Sequence, residues 1–186
     1  TLTMYGREVF DVYGVDAVTF NGYMGNTAED ALDQWLKQGG MAITLVRTSN
    51  PEAAETQEVE LADGSPYYEH MARNIGQWDQ SIKDATGGSG AMGAVVGAPQ
   101  AEQAKTCRAA AGDNVFFLIP GFGAQGGTAK EATAGIVSKD NTVMGTVNSS
   151  RGLTLHSWKD KKTGEPKAGD PMENVQAAIT QQSQAL

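Results

Sequence analysis

Residues 115–128 are VFFLIPGFGAQGGT, and this stretch decides the fold. It joins five consecutive apolar residues to a glycine-rich turn, and a helical pattern follows over residues 128–136. A short apolar run without alternation is typical of a strand covered on both faces, as in a parallel sheet. The turn is therefore expected at the carboxyl end of a parallel strand, the edge at which α/β proteins bind their ligands.

Four other apolar runs resemble residues 115–119, and they cover residues 16–20, 42–46, 93–97 and 143–147. Helical patterns precede the first run, separate the runs and follow the last one, over residues 3–13, 27–37, 66–83, 99–111, 128–136 and 171–184. A helix followed by repeated strand–helix units predicts right-handed crossovers and one continuous parallel sheet. The number of strands suits a doubly wound open sheet, whereas a barrel needs eight strands and about 250 residues.

The composition excludes several classes of protein. The chain has 186 residues, with 14 Lys and Arg against 22 Asp and Glu, and a net charge of −8. This deficit of cations argues against a nucleic-acid partner, which needs clustered Lys and Arg. No apolar run approaches the roughly 18 residues of a membrane helix, so we expect no membrane partner. The single cysteine, Cys107, cannot form an intramolecular disulfide, which favours a reducing, cytoplasmic compartment.

Three loops at predicted carboxyl ends of strands carry groups suited to a ligand. Residues 120–128 contain four glycines, which allow close approach of the backbone, and the following helix offers unpaired N–H groups to an anion. Residues 148–152, NSSRG, contain an arginine that can hold a phosphate. Residues 47–51, RTSNP, offer hydroxyls to a polar heterocycle. Each loop alone is equally consistent with an ordinary turn, but the first two follow the last two predicted strands, where barrels frequently bind phosphate.

Other reactive residues have structural interpretations. His70 and His156 have no second His or carboxylate at the spacing of metal ligands, so we expect no metal site. Cys107 lies in a predicted helix and is interpreted as a buried structural thiol. The acidic stretch over residues 52–60 is interpreted as a solvated face. No Lys lies within or at the end of a predicted strand, so these strands offer no catalytic ammonium group.

Five motifs follow one another in the order and spacing of a known family. They are Asp16–Asn21 leading into Tyr23-Met24-Gly25, Arg47–Pro51, Val95–Ala98, Pro120–Gly127 and Asn148–Gly152. Together they resemble orotidine 5′-phosphate decarboxylase, and specifically its bacterial and protozoal-type subgroup. The resemblance implies an α/β fold, a homodimeric TIM (β/α)8 barrel. It also implies decarboxylation of orotidine 5′-monophosphate to uridine 5′-monophosphate (UMP) and CO2 in pyrimidine biosynthesis, without metal or organic cofactor.

The resemblance also implies a role for individual residues. Ser49 is expected to hydrogen-bond the pyrimidine, and Gln125 is expected to bridge the base and the phosphate. Arg151 and the backbone of Ser150 are expected to bind the phosphate. The loop from Pro120 to Gly123 is expected to close over the ligand.

The resemblance begins just after the family's catalytic charges. In the family, an Asp-x-Lys-x-x-Asp motif ends the third barrel strand and precedes a Thr that contacts ligand bound in the partner subunit. Thr1 matches that Thr. We therefore expect residues 1–186 to be the carboxyl-terminal part of a single barrel domain, supplying about strands four to eight. An upstream barrel segment would then carry the catalytic Lys and Asp residues, and this chain alone would be inactive.

Other functions remain open at the level of sequence. A non-catalytic nucleotide-binding or assembly subunit would keep the phosphate loops and lack the upstream motif. Another phosphate-binding barrel enzyme, such as an epimerase or synthase acting on a sugar phosphate, would share these loops, although Ser49 with Gln125 favours a pyrimidine. A fused phosphoribosyltransferase is also compatible with the sequence. Phe122 and Thr128 depart from the family pattern, where a smaller aliphatic residue and an Asp are common.

Overall fold

The computed structural model describes residues 1–88, 91–123, 125–154, 158–160 and 162–186. Its strands are β1 Ala17–Phe20, β2 Met41–Arg47, β3 Met92–Val96, β4 Phe116–Ile119, β5 Ser138–Lys139, β6 Thr142–Val143 and β7 Gly145–Val147. Five of them form a sheet in the order β1-β2-β3-β4-β7, and every pairing in it is parallel. The predicted parallel sheet is confirmed.

Helices separate the strands of this sheet. They are α1 Leu2–Gly6, α2 Thr27–Leu36, α3 Ala54–Gln57, α4 Tyr67–Thr86, α5 Ala101–Ala111, α6 Ala129–Ala132, α7 Ser150–Leu153 and α8 Pro171–Ala185. Helix α1 continues as a π-helix over Arg7–Val12, and short 3₁₀ turns cover Gly22–Met24 and Pro51–Ala53. No helix of the described residues combines the length and the apolar character needed to span a membrane.

The core lies between the sheet and the helices, with its buried side chains contributed mainly by α2, α4 and α5. Strand β3 is buried along its whole length because it occupies the middle of the sheet. On α4, the buried residues Met71, Ile75 and Ile82 recur at helical spacing and form one apolar side. Burial of each such side chain contributes about 1.5–3 kcal/mol. The packing of α4 against β2 and β3 therefore fixes the layer that carries the strand ends.

The predicted strand over residues 143–147 is divided in the structure. Residues 142–143 form β6, which pairs with β5 in an antiparallel hairpin, and only residues 145–147 join the main sheet. Asp140 and Asn141 turn the hairpin with φ of 48° and 62°. Asn and Asp tolerate this left-handed conformation better than other non-glycine residues, so the sequence of the turn favours the hairpin.

The helix predicted over residues 128–136 is shorter in the structure. Thr128 is the N-cap of α6, and its hydroxyl accepts a hydrogen bond from the Glu131 N–H at 3.3 Å. The helix ends after one turn, at Ala132, and Gly135 then lies close to the ring of Phe117. A Cβ on Gly135 would lie 3.1 Å from that ring.

Strands β1 and β7 are the two edges of the sheet as far as it is described. Beside β1, apolar side chains line a recess of about 250 Å³, among them Leu2, Tyr5, Val18 and Phe20. Parallel sheets are normally covered on both faces and extended by neighbouring strands. The β1 edge is therefore an apolar surface suited to further packing.

Candidate functional site

The loops that follow the parallel strands are joined at one end of the sheet. At this end of the sheet, backbone hydrogen bonds join β2 to β3, β3 to β4, and β4 to β7. They run from Gly97 N to Arg47 O (2.7 Å), from Ala98 N to Pro120 O (2.8 Å) and from Asn148 N to Ile119 O (3.0 Å). These bonds hold loops that are distant in sequence next to one another.

A depression of about 140 Å³ lies between the loops that follow β2, β4 and β7. The structure brings five of the six predicted site residues to its lining: Ser49, Pro120, Gln125, Ser150 and Arg151. The sequence separates these residues widely, and the parallel register of the sheet brings them together.

Four further residues line the depression: Gly121, Phe122, Asn148 and Ser149. Gly121 and Phe122 belong to the loop expected to close over the ligand, whereas Asn148 and Ser149 had no role of their own and precede the two residues expected to bind the phosphate. Their positions in motifs that the sequence analysis singled out were the available signal. Nothing in the sequence indicated which neighbours would point into the depression.

Thr1 does not line the depression. It is exposed at the start of α1, where its carbonyl accepts hydrogen bonds from Met4 N at 3.0 Å and Tyr5 N at 3.2 Å. The contact expected of Thr1 is with ligand in a partner subunit, and it stays a prediction.

Ser49 is wedged between two glycines. A Cβ on Gly97 would lie 2.6 Å from Ser49 Cα, and a Cβ on Gly121 would lie 2.9 Å from Ser49 Cβ. Only glycine allows this close approach, and Gly121 also has a φ of +96°. The Ser49 hydroxyl forms no hydrogen bond with a described residue, so it is available to a ligand in the depression.

Gln125 approaches the same glycine as Ser49. Its Oε1 lies 2.8 Å from the position that a Cβ on Gly121 would occupy. A hydroxyl and a carboxamide are therefore close together at this part of the depression. Both groups donate and accept hydrogen bonds without charge, which suits the edge of a polar heterocycle.

Arg151 supplies the positive charge of the depression. It is exposed on α7, directly after Ser150, and has no ion pair among the residues that the structure describes. A guanidinium without a protein carboxylate binds anions through charge-assisted hydrogen bonds. The depression thus has a cationic contribution from the loop after β7 and neutral polar contributions from the loops after β2 and β4.

The glycine-rich loop after β4 is closed by its own backbone. Gly123 N donates to Gly127 O at 2.9 Å, and Gly127 N donates to Gly121 O at 3.2 Å. Phe122 is 9% exposed and belongs to the hydrophobic core. The larger side chain at this position therefore anchors the loop to the core.

The N-terminus of α6 was expected to offer unpaired N–H groups to an anion, but one of these groups already has a partner in the protein. Glu131 Oε2 accepts a hydrogen bond from Thr128 N at 2.8 Å, so a side chain of the helix itself already satisfies this amide. Hydrogen bonds from the Thr128 hydroxyl and backbone lower the pKa of Glu131. The expectation that this helix start offers free N–H groups to an anion is wrong for the Thr128 amide.

A larger groove of about 450 Å³ lies between the Gly22–Met24 turn and residues 55–61. It is lined mostly by apolar side chains, including Leu45, Val59 and Tyr67, and none of the described residues in its lining is cationic. None of the site residues expected from the sequence lies there. The smaller depression is therefore the better candidate for an anionic ligand.

Reactive side chains outside the depression have structural environments. Cys107 is buried, and this burial raises the pKa of its thiol to about 12, which fits a structural thiol. His70 Nε2 lies 3.1 Å from Asn74 Nδ2, and His156 lies outside the described residues. Within the described part of the chain, no three His, Cys, Asp or Glu side chains are grouped to hold a metal ion.

Comparison with known proteins assigns this arrangement to a family. The model of the orotidine 5′-phosphate decarboxylase / HUMPS family matches residues 3–164. The chain belongs to this family. It is 37% identical over 168 residues to an orotidine 5′-phosphate decarboxylase of Clostridium novyi, and 36% identical over 165 residues to that of Bordetella avium. These alignments cover 89% and 86% of the chain.

Solved structures of orotidine 5′-phosphate decarboxylases share the fold. The Leishmania donovani OMP decarboxylase matches 99% of this chain with a TM-score of 0.71 at 22% identity, and 62% of that chain is covered. The Plasmodium berghei enzyme matches with a TM-score of 0.72 at 20% identity. The expected α/β barrel class is confirmed. The chain spans about half the length of the curated relatives it matches, 56% for C. novyi and 57% for B. avium.

Proposed function

We propose that the complete protein decarboxylates orotidine 5′-monophosphate to UMP and CO2, a lyase reaction of pyrimidine biosynthesis. The observation that carries the proposal is the depression in which Arg151 lies with Ser49 and Gln125. A nucleoside monophosphate has the complementary arrangement, a dianion at one end and a neutral heterocycle at the other. Membership of the family, and the similarity to curated orotidine 5′-phosphate decarboxylases, support orotidine 5′-monophosphate as the substrate.

The phosphate is assigned to the loop after β7. Arg151 donates charge-assisted hydrogen bonds to it, together with the backbone of Ser150. Such a bond to a charged group contributes about 1.5–3 kcal/mol. The net charge of −8 does not oppose this binding, because groups within a few ångströms dominate over distant surface charges screened by salt.

The pyrimidine is assigned to Ser49 and Gln125. The Ser49 hydroxyl bonds the base, and the Gln125 carboxamide bonds both the base and the phosphate. The loop from Pro120 to Gly123 covers the ligand. Burial of Phe122 holds the middle of that loop in place, so this part of the site is largely formed before the ligand binds.

The chemical step needs charges that the lining of the depression lacks. Among the residues that the structure describes, no Lys or Asp lines it. We assign those charges to an upstream segment with the family's Asp-x-Lys-x-x-Asp motif, which would complete a single barrel domain with residues 1–186. There an Asp beside the substrate carboxylate disfavours the ground state, and a Lys ammonium stabilises and protonates the carbanion at C6. The proposal uses no metal or organic cofactor.

The proposed active unit is a homodimer located in the cytoplasm. Thr1 lies on an exposed helix start, and the proposal assigns it a contact with ligand in the partner subunit. The apolar recess beside β1 is assigned to packing against the upstream barrel segment. The lone, buried Cys107 is compatible with a reducing compartment.

Arg151→Ala in the complete protein tests the phosphate assignment. We expect the affinity for UMP to fall about 10-fold or more, the equivalent of one charge-assisted hydrogen bond. Isothermal titration calorimetry measures the dissociation constant of UMP for each variant. Arg73→Ala is the matched control, since it removes the same charge from α4, outside the depression. An unchanged affinity for UMP in Arg151→Ala would refute the assignment.

The same calorimetry separates the alternative functions. Ribulose 5-phosphate binding as tightly as UMP would favour an enzyme that acts on sugar phosphates. Tight UMP binding without CO2 release from orotidine 5′-monophosphate would favour a non-catalytic nucleotide-binding subunit. The proposal expects UMP to bind more tightly than ribulose 5-phosphate, and CO2 release to be steady.

A further inference from the structure

The residue that precedes Ser49 is held at each of its polar atoms. Thr48 N donates to Gln57 Oε1 at 2.9 Å, and Thr48 O accepts from Arg47 Nη1 at 2.6 Å. The Thr48 hydroxyl donates to Asn50 Oδ1 at 2.7 Å and accepts from Gln57 Nε2 at 3.1 Å. Side chains thus satisfy the backbone of Thr48, which has left the ladder of β2 at this point.

The Arg47 side chain that contacts Thr48 is itself fixed. It is 3% exposed, and its Nε and Nη2 donate to Glu58 Oε1 at 3.0 Å and 2.9 Å. Gln103 Nε2 on α5 donates to the same oxygen at 3.3 Å. All three guanidinium nitrogens of Arg47 therefore have a partner. Such multiply bonded guanidinium groups have a defined geometry.

Gln57 and Glu58 lie at the end of the segment 51–58, which we call the positioning segment. Its acidic composition indicated a solvated face, and Glu58 is exposed, but its carboxylate also pairs with the buried Arg47. The positioning segment contacts the loop of the depression through Thr48 without lining the depression itself.

We propose that Gln57 and Glu58 are positioning residues that orient Ser49 toward the base of the ligand. The Ser49 hydroxyl has no hydrogen bond to a described residue that would orient it. Its backbone is packed against Gly97 on one side, so its position follows from the conformation of Thr48 on the other. The inference rests on the proposed function, because it takes the Ser49 hydroxyl as the contact to the pyrimidine.

The proposal predicts a selective effect on ligands that have a base. Loss of the Thr48 contacts displaces Ser49 and weakens binding of UMP. Ribose 5-phosphate has no base and reports on the contacts to the phosphate and the sugar, without the contact of Ser49 to the base. A role of Gln57 and Glu58 in stability alone would alter both ligands equally or neither of them.

The experiment uses the complete protein with the variants Gln57→Ala and Glu58→Gln. Calorimetry gives the dissociation constants of UMP and ribose 5-phosphate for each variant. We expect UMP to bind about fivefold more weakly, as for one lost hydrogen bond, and ribose 5-phosphate to bind unchanged. Glu55→Gln is the matched control, because Glu55 lies on the same α3, is exposed and has no described partner.

The variant Ser49→Ala separates the contact of Ser49 to the base from the positioning of Ser49 by Gln57 and Glu58. If Ser49→Ala weakens UMP binding and neither Gln57→Ala nor Glu58→Gln does, the positioning role is overturned. If Ser49→Ala leaves UMP binding unchanged, the proposed contact to the base is overturned instead. Equal weakening of both ligands in Gln57→Ala would also overturn the positioning role. Gln57→Ala removes no charge, so it keeps the test valid if loss of the Glu58 carboxylate prevents folding.

Discussion

At the scale of the residue, Gly121 combines a conformational requirement with a packing requirement. Its φ of +96° is unfavourable for side-chain-bearing residues, and both Ser49 and Gln125 approach the place that its Cβ would occupy. Gly123 shares the first requirement, with a φ of +69°, but apart from its chain neighbours no described residue lies within 4 Å of the place of such a Cβ. Substitution of Gly123 therefore causes backbone strain alone, whereas substitution of Gly121 causes backbone strain and also displaces Ser49 and Gln125.

We expect Gly121→Ala to reduce the affinity of the complete protein for UMP, measured by calorimetry, more than Gly123→Ala does. Both substitutions carry the cost of a positive φ, about 1–3 kcal/mol of stability. Only Gly121→Ala displaces the two groups assigned to the base. Thermal unfolding supplies the comparison of stability. Equal losses of UMP affinity in the two variants would contradict the assignment of Ser49 and Gln125.

At the scale of the element, Arg108 joins α5 to the amino-terminal ends of two strands. Its guanidinium stacks on Phe117 at 3.7 Å. It donates to four backbone carbonyls: Gly135 (2.9 Å), Gly112 (2.8 Å), Val115 (2.8 Å) and Met144 (3.0 Å). Burial lowers the pKa of Arg108 to about 10, so the side chain remains charged at neutral pH. Val115 and Met144 directly precede β4 and β7, at the ends of the strands opposite the depression.

Arg108→Met is expected to destabilise the complete protein by about 2–5 kcal/mol, because buried carbonyls lose their donor and the cation–π contact is lost. Urea unfolding followed by circular dichroism measures the change. Arg108→Lys should recover little of the loss, since an ammonium cannot reproduce the planar set of donors. Affinity for UMP below the unfolding transition should remain unchanged. A stability within 0.5 kcal/mol of the parent protein would refute this role.

At the scale of the whole molecule, the two edges of the sheet are the main structural feature. Within the described residues, β1 and β7 each pair with one neighbour only. An unpaired strand edge presents free N–H and C=O groups to other chains. The apolar recess beside β1 adds surface that water does not solvate well. Both features favour association through this part of the molecule.

Residues 1–186 expressed alone are expected to release no CO2 from orotidine 5′-monophosphate and to self-associate. The catalytic Lys and Asp residues of the proposal lie upstream, and the β1 edge would be uncovered. A CO2 assay and light scattering after gel filtration measure the two effects. The complete protein is the control, for which we expect activity and a dimer. Steady CO2 release by residues 1–186 alone would contradict the proposed division of the site.

Local sequence predicted the elements well where a single interaction dominates. The apolar run at residues 115–119 predicted β4, because a strand covered on both faces needs continuous apolarity. The run at residues 143–147 predicted β7 but not the separation of Val143, since Asp140 and Asn141 turn the chain and pair β6 with β5. The turn at Asp140 and Asn141 and the main sheet offer alternative pairings to Val143, and apolar composition does not indicate which pairing forms.

Local sequence was enough to predict the five strands of the parallel sheet, the main helices between them and the motifs that carry Ser49, Gln125 and Arg151. These features depend on local composition and on the chirality that parallel connections impose. Only the tertiary structure decided that Ser49 lies against Gly97 and Gly121, and that Glu58 pairs with the buried Arg47. Such contacts depend on strand register and on close approach of backbones from different loops. Sequence distance and composition contain no measure of either.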